Sequence, residues 1–219
     1  MYSPTSFRVV DLAQLHDLID QSPLATLVTA GEQGLLASHL PVLLERHAEN
    51  RGTLHGHFAR ANPQWRDLAQ GAEVLAVFNG ASAYVSPGYY PSKARDHKAV
   101  PTWNYVAVHA WGTAEMFDEP SRLRELVAKL SDHHERDQPH PWSLDDAPAD
   151  YLDAMLRAIV GFSLPIERIE GKWKLSQNQR SDNRTGVRDA LAASPLTSAN
   201  HVAQLMNRGA DSNSDEGVA

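Results

Sequence analysis

The stretch LATLVTAGEQGLLASHLPVLLE, residues 24–45, decides the fold class of this chain. Residues 24–30 alternate apolar and small polar side chains, which favours a β-strand, and the glycines at positions 31 and 34 favour a hairpin turn. Residues 35–45 then return as the partner strand. Because strands joined by so short a turn pair antiparallel, the stretch predicts an antiparallel sheet instead of alternating βαβ units.

The rest of the chain repeats this pattern of short strands and adds helices at the periphery. We therefore predict a mainly β protein with some α, an antiparallel barrel with peripheral helices. Residues 1–190 are expected to form one domain, 191–208 a helical extension and 209–219 a disordered tail. The further strands are predicted at 53–58, 73–80, 83–86, 104–117 and 161–176, and the helices at 12–19, from 118 onward, and at 149–157, 187–193 and 199–206.

The composition excludes several classes of site. The 219 residues include no cysteine, so disulfides, iron–sulfur clusters and thiol nucleophiles are excluded. Since no apolar run approaches the length of a membrane span and no signal peptide is recognisable, we expect a cytoplasmic protein without a membrane partner. His133, His134 and His140 lie between two predicted helices, and their spacing does not favour a metal site.

The net charge of −7 is concentrated in one part of the chain. Residues 115–153 contain four basic and eleven acidic residues and alone account for that value. Carboxylates and Pro120 favour a helix start there, and the apolar spacing indicates two helices packed on one face with a solvated outer face. An acidic balance disfavours broad nonspecific binding to nucleic-acid backbones.

A first candidate site is GHFARANPQW, residues 56–65. Asn62 is a good helix N-cap and Pro63 suits the first helical position, so we expect a strand to run into a helix start with free backbone N–H groups. Arg60 lies beside them, and His57 shares one face of the strand with His55. The pattern is typical of a phosphate site, and equally of a capped helix with a surface arginine.

A second candidate site lies in residues 84–112, which are dense in aromatic residues and include Lys93. Alternation separates an inward set containing Asn104 from an outward set that begins at Trp103. The outward set indicates a partner surface, a bound planar ring or a face covered by the C-terminal helices. The inward residues are Asn104, Val106, Val108 and Ala110, and the outward ones Trp103, Tyr105, His109 and Trp111.

A third candidate site is GKWKLSQNQRSDNRTGVR, residues 171–188, which contains five basic residues. Lys174, Ser176 and Asn178 would share one side if the strand continued through them, and Gln177 adds a neutral hydrogen-bonding group. The alternative is a solvated turn.

These stretches resemble the PaiB-like family of FMN-binding negative transcriptional regulators. The resemblance extends to about residue 190 and rests on the combination of several motifs. They are ASHLP (37–41), GHFARANPQW (56–65), YVSPGYYPSK (84–93), VPTWNYVAVHAWG (100–112) and GKWKLSQN (171–178).

The resemblance implies an FMN-binding split β-barrel that forms a homodimer with FMN between subunits. Where pyridoxamine-phosphate oxidases of this fold are expected to have an arginine, this chain has His39, and residues 41–44 contain no lysine, which disfavours that oxidase chemistry. The residues implied in cofactor binding are His39, His57, Arg60, Asn62, Lys93, Trp103, Asn104, Lys174, Ser176 and Gln177.

Two functions follow from the resemblance. One is an FMN-binding regulator of transcription, and the alternative is a flavin-dependent oxidoreductase, an FMN reductase or oxidase acting on a small molecule. Direct contact with DNA has weak support, because the helical pair at 187–206 and its flanks offer only Arg188 and Arg208 as basic residues. A barrel that has lost its flavin is a third alternative.

Overall fold

The computed structural model describes residues 1–31 and 34–211. The chain divides into two compact units. The first unit comprises Met1–Val10, Asn79–Ala107 and the chain from Gly171 onward, and the second comprises Asp11–Phe78 and Val108–Glu170. Every strand pair with a described register is antiparallel, as the sequence predicts.

Nine strands and seven helices follow one another in the described residues. The strands are β1 (Arg8–Val9), β2 (Leu24–Gly31), β3 (Gly34–Glu45), β4 (Thr53–Ala59), β5 (Glu73–Val85), β6 (Thr102–Thr113), β7 (Glu115–Phe117), β8 (Ile159–Pro165) and β9 (Arg168–Lys174). The helices are α1 (Leu12–Gln21), α2 (Gln64–Ala69), α3 (Lys93–Asp96), α4 (Pro120–Glu135), α5 (Ala149–Arg157), α6 (Ser181–Ala192) and α7 (Thr197–Asp211).

In the second unit the strand order is β5-β2-β3-β4-β8-β7. Alternation along β4 sends Leu54 and Phe58 into the core, where Phe58 packs on Phe162 of β8 with ring centroids 5.5 Å apart. The acidic helices cover this sheet through their apolar faces. Their shared core cluster consists of Phe117, Leu123, Leu126, Leu130 and Leu156.

In the first unit the strand order is β1-β9-β6-β5. Helices α6 and α7 are amphipathic, and each buries the face on which its apolar residues recur. The carboxamide of Asn104, from β6, is buried and donates to the sulfur of Met206 on α7 at 3.8 Å. The buried apolar residues of these helices are Val187, Leu191, Ala199, Val202, Ala203 and Met206.

Several predicted elements differ from the observed ones. The strands predicted at 73–80 and 83–86 form one continuous strand, β5, which ends at Val85, and the strand predicted at 104–117 is divided into β6 and β7. The division accompanies a change of partner, because β6 lies between β9 and β5 whereas β7 pairs with β8. Helices α6 and α7 begin earlier than predicted, since their first turns are polar and carry no apolar periodicity.

Two predictions fall partly on residues that are not described. Gly31 and Gly34 pair across the predicted hairpin, but residues 32–33 of its turn lie outside the described residues. Residues 212–219 of the predicted tail also lie outside them, and α7 extends to Asp211. Within the described part of the chain, no helix combines the length and apolarity needed to cross a bilayer.

Replacement of Phe162 by alanine tests the core of the second unit. Phe162 is fully buried, so Phe162→Ala leaves a cavity and should lower the free energy of unfolding by about 3–5 kcal/mol. Tyr151→Ala on α5, where the side chain is 57% exposed, is the control and should change it by less than about 0.5 kcal/mol. Denaturant titrations of the three proteins give the comparison, and equal losses in both variants would contradict this assignment of the core.

Candidate functional site

A cavity of about 280 Å³ lies in the first unit, where the chain leaves β9 and turns toward α6. The lining brings together three of the predicted site residues with polar side chains from the loop before β6. Its residues are Tyr90, Lys98, Ala99, Val100, Pro101, Thr102, Asn104, Lys174, Ser176, Asn178, Gln179 and Asn183.

Lys174 supplies the cation at the end of β9. Its ammonium donates to the backbone carbonyl of Trp103 at 2.5 Å and to the hydroxyl of Thr102. Burial lowers the pKa of Lys174, and the charge of Lys172 lowers it further. Both bonds are to neutral oxygens, so the ammonium at the cavity wall has no carboxylate partner among the residues that the structure describes.

The turn after β9 is held by two polar side chains. Ser176 has a φ of 63°, in the left-handed region that a non-glycine residue adopts at a cost. Its hydroxyl donates to Asn104 Oδ1 at 3.1 Å and accepts from Asn104 Nδ2 at 3.0 Å. Gln177 accepts from the N–H of Leu175 at 2.7 Å and donates to the carbonyl of Trp173 at 2.6 Å. These bonds compensate for the strained backbone and fix the lysine's position.

This geometry corrects the prediction of a shared strand face. Lys174, Ser176 and Asn178 would share a side only if β9 continued, but β9 ends at Lys174 and the chain reverses at Ser176. The turn nevertheless places all three at one cavity.

The other wall of the cavity lies within the predicted candidate stretches, but its residues were not among the predicted site residues. Burial raises the pKa of Tyr90, so its phenol remains a hydrogen-bond donor at neutral pH. Asn183, also buried, accepts from the N–H of Ser92 at 3.1 Å, and Lys98 adds a second cation. Among the described residues, no carboxylate lines this cavity. Lysine, amide and hydroxyl donors without an acidic group favour an anionic or carbonyl-rich ligand.

Two predicted residues lie near this cavity without lining it. Lys93 begins α3 and is exposed, and Trp103 contributes its carbonyl to Lys174. The indole of Trp103 is 55% exposed and meets the ring of Tyr84 edge-on with centroids 6.2 Å apart. The two rings form an aromatic surface, which we call the Tyr84–Trp103 patch.

A separate polar group lies in the second unit. His39 Nδ1 lies 3.0 Å from the hydroxyl of Thr26, its direct partner across β2 and β3. Asn62 Nδ2 donates to the hydroxyl of Ser38 at 2.8 Å, and Asn62 Oδ1 accepts from the N–H of Gln64 at 3.0 Å. Helix α2 begins at Gln64, one residue later than predicted, because Pro63 takes the position before the first helical residue.

Two buried polar atoms near this group have no partner in the described structure. They are Nδ1 of His57 and Oε1 of Gln64. The amide nitrogen of Gln64 bonds to the carbonyl of Leu27 at 3.0 Å and to the hydroxyl of Thr29 at 3.2 Å. Burial lowers the pKa of His57, which keeps its imidazole neutral at pH 7. A buried polar atom without a partner is costly, so both atoms are candidates for contact with a bound molecule or water.

The structure directs Arg60 away from Asn62. Its guanidinium donates to the carbonyls of Arg157 at 2.9 Å and Ile159 at 3.0 Å and to the carboxylate of Asp118 at 3.2 Å. These bonds join the end of β4 to the start of β8 and to the residues before α4. In this conformation Arg60 stabilises the packing of elements within the second unit.

The residues that sequence reasoning missed are Tyr90, Lys98, Thr102, Gln179 and Asn183. All of them lie within or beside the quoted motifs. Because loop residues have no periodicity that reports their direction, only contiguity with those motifs could have indicated them.

Comparisons with known proteins show the family of this chain. A family model described as "Putative FMN-binding domain" matches residues 1–168. The protease synthase and sporulation protein PAI 2 of Bacillus subtilis is 33% identical over 207 residues, which cover 94% of this chain and 96% of that protein. An uncharacterised protein of Emericella nidulans is 31% identical over 222 residues, with 85% and 88% coverage.

Solved structures share the fold at low sequence identity. A conserved hypothetical protein from Mycobacterium tuberculosis superposes with a TM-score of 0.58 at 14% identity, over 82% of this chain and 94% of its own. The FAD and heme binding protein from Mycobacterium smegmatis gives a TM-score of 0.56 at 17% identity, over 81% and 78%. The fold predicted from the sequence, an antiparallel split β-barrel with peripheral helices, is confirmed.

Replacement of Arg60 tests its structural role. Arg60→Ala removes three charge-assisted hydrogen bonds and should lower the free energy of unfolding by about 1–3 kcal/mol. Arg66→Ala on α2 is the matched control, because its guanidinium stacks only on the neighbouring Trp65 ring at 5.2 Å among its described contacts. Denaturant titration measures both variants. A loss of anion affinity with unchanged stability would instead assign Arg60 to ligand binding.

Proposed function

We propose that this chain, which belongs to the family of FMN-binding domains matched above, is a regulatory flavoprotein whose FMN contacts the Lys174 cavity. FMN is its cofactor. The single observation that carries the proposed site is the donor-rich cavity around Lys174, which has a fixed cation and no acidic lining residue among those described.

The donor set of this cavity fits one end of FMN. The cavity volume of about 280 Å³ lies just below the roughly 300–1,000 Å³ of complete small-molecule sites, so it suits part of the cofactor. We assign Lys174 to the pyrimidine edge of the isoalloxazine, near N1, where a cation stabilises the reduced anionic ring. Ser176 and Asn104 position the lysine, and Gln177 maintains the turn. When bound, FMN supplies hydride and electron transfer.

The polar side chains of the second unit, His39, His57 and Asn62, are a candidate binding site for the phosphate of FMN. His39 and Asn62 present a ring nitrogen and an amide, and Nδ1 of His57, which has no partner among the described residues, would form a hydrogen bond with the ligand. A neutral histidine can donate from one nitrogen while the other accepts. Within the second unit we therefore propose His39, His57 and Asn62 as phosphate contacts. Within the first unit, Lys93 and Trp103 are proposed as peripheral residues of the Lys174 cavity.

The regulatory role is what the family resemblance of the sequence motifs implies, and the B. subtilis relative, a protease synthase and sporulation protein, is similar to 94% of this chain. We propose that this chain regulates without reading DNA through α6 and α7. Three arginines on or beside α6 are engaged among the described residues: Arg95 with Asp182 at 2.6 Å, Arg188 with Asp189 at 2.6 Å, and Arg184 with the carbonyl of Met206 at 3.0 Å. Such pairing weakens the positive face that phosphate backbones require.

The proposed working form is a cytoplasmic homodimer. The Tyr84–Trp103 patch supports the dimer, because aromatic side chains that are exposed next to one another are enriched at protein interfaces. FMN between subunits, as the resemblance implies, belongs to the same proposal.

A flavin-dependent oxidoreductase is the second candidate function. The observation that favours it is the meeting of Lys174, whose pKa is lowered, with Tyr90, whose pKa is raised, at one cavity. Perturbed titratable groups that share a cavity are typical of catalytic sites, where they hold or transfer a proton beside the reacting group.

Replacement of Lys174 tests the proposed flavin contact. The purified protein should be yellow and release FMN on denaturation. Lys174→Ala should lower the midpoint potential of the bound flavin by roughly 30 mV or more, the equivalent of a tenfold loss of preference for the reduced form. Lys129→Ala, which removes an exposed lysine on α4 with no proposed flavin contact, should leave the potential unchanged. An unchanged potential in Lys174→Ala with FMN still bound would contradict the assignment.

Mobility-shift and oxidase assays separate the two functions. We expect no shift of the protein's own promoter fragment even at low salt, where phosphate contacts are strongest. A shift that weakens steeply with added salt would support direct DNA binding instead. In parallel, turnover of NAD(P)H with re-oxidation by air or an added acceptor would favour the oxidoreductase, and a flavin that stays reduced would favour the regulator.

A further inference from the structure

Three side chains in the second unit form a hydrogen-bonded chain that the flavin site does not use. His55 Nδ1 lies 3.0 Å from the hydroxyl of Ser163, and His55 Nε2 lies 3.0 Å from the carboxylate of Glu45. The sheet register produces this arrangement. His55 on β4 is directly opposite Ser163 on β8 and Leu43 on β3, so Glu45, two residues beyond Leu43, extends from the same face.

Elementary chemistry assigns the protons among these three side chains. Burial lowers the pKa of His55 from its ordinary value of 6.5, so the ring is neutral at pH 7 and carries one N–H. The carboxylate of Glu45 can only accept, which places that N–H on Nε2. Nδ1 is then an acceptor, and the Ser163 hydroxyl must donate to it. This is the polarity of a serine held by a general base that is itself oriented by a carboxylate.

The hydrogen-bonded side chains Glu45, His55 and Ser163 lie at the wall of a second cavity, of about 380 Å³. Apolar side chains, Leu43, Phe117 and Leu126, provide one part of the lining, and the polar chain provides another. The volume is within the range of small-molecule sites. The charged lining residues are Glu45, Arg122, Glu125 and Lys129.

Arg122 is held at the edge of this cavity. Its guanidinium lies 4.1 Å from the centre of the Phe117 ring and donates to Glu115 at 2.7 Å. Glu115 on β7 is the direct partner of Ser163 across the β7–β8 pair. The cation is therefore anchored on the strand next to Ser163, where it can stabilise negative charge that develops on a substrate oxygen.

We propose that Ser163 is a nucleophile activated by His55, and that this cavity accepts small carboxylic esters with an apolar acyl group. Ser163 Oγ forms a bond to the acyl carbon while its proton passes to His55 Nδ1. The carbon–oxygen bond to the alcohol breaks, and the leaving alkoxide takes that proton. Water then repeats the sequence: it attacks the acyl carbon, gives its proton through His55 to Ser163 Oγ and releases the carboxylic acid. The flavin takes no part in these steps.

Charged groups from two elements and a loop face His55 and determine its pH response. Glu45 on β3 raises its pKa, whereas Lys129 on α4 and His47, after β3, lower it, and burial has the largest effect. Arg122 and Glu125 complete the charged lining of the cavity. Since the neutral ring is the base, the acylation rate should rise with pH through a midpoint below 6.5 and remain constant above it.

Covalent labelling of the full-length protein tests the proposal. A fluorophosphonate probe should add one label, and peptide mapping should place it on Ser163. Ser163→Ala should abolish the label, and His55→Gln should slow it by about 100-fold or more. Ser121→Ala, which removes an exposed serine on α4, should label at the wild-type rate. A wild-type protein that takes no label, or takes it on another residue, would overturn the proposal whether or not the variants fold.

Glu45 is a positioning residue in this proposal, and its test uses the pH profile. Glu45→Gln keeps the shape but removes the charge that raises the pKa of His55, so the midpoint of p-nitrophenyl butyrate hydrolysis should move to lower pH. A pH profile identical to that of the wild type would contradict the positioning role of Glu45. FMN content should stay the same in all these variants, which separates failure of this site from failure of the flavin site.

Discussion

The structure depends on the alternation of side chains along antiparallel strands. In β4, Leu54, Gly56 and Phe58 must enter the core, so His55 and His57 have to extend from the opposite face. Gly56 is required there because a Cβ at this position would lie 2.7 Å from the ring of Phe162. The same geometric rule therefore builds the hydrophobic core and presents two imidazoles outside it. His55 joins a hydrogen-bonded chain, and Nδ1 of His57 has no partner in the part of the chain that the structure describes.

In the first unit, the Lys174 cavity forms where strand β9 and its alternation of side chains end. Asn104 follows the strand rule and is buried, yet it is polar, and its partner is the strained residue Ser176. A buried amide without a partner would cost about 1–3 kcal/mol, and a left-handed serine is also unfavourable. The two residues satisfy each other, and the result is a turn that fixes Lys174. The strain is thus located where a ligand site is proposed, as is common for functional turns.

The acidic segment illustrates how little the net charge says about a surface. Its helices pack within the second unit through Leu123, Leu126 and Leu130, and each of its four basic side chains pairs with a carboxylate of the same segment, which leaves most of its acidic residues without a cation partner among the described residues. Arg122 bonds to Glu115, Lys129 to Glu125, and Asp118 to Arg60. Exposed pairs of this kind contribute little stability. Their consequence is positional, since Arg122 and Lys129 are held at the rim of the second cavity.

The sequence by itself determined the fold class, most of the strands, helix α5 at 149–157 and the three stretches that carry polar chemistry. It could do so because strand alternation, helical periodicity and turn residues are local properties. Tertiary structure alone decided that Arg60 bonds to Arg157 and Ile159, and that Lys174 meets Tyr90 at one cavity. It also decided that Glu45, His55 and Ser163 form a chain, because register aligns residues more than a hundred positions apart. No local pattern encodes the partner of a side chain across the sheet.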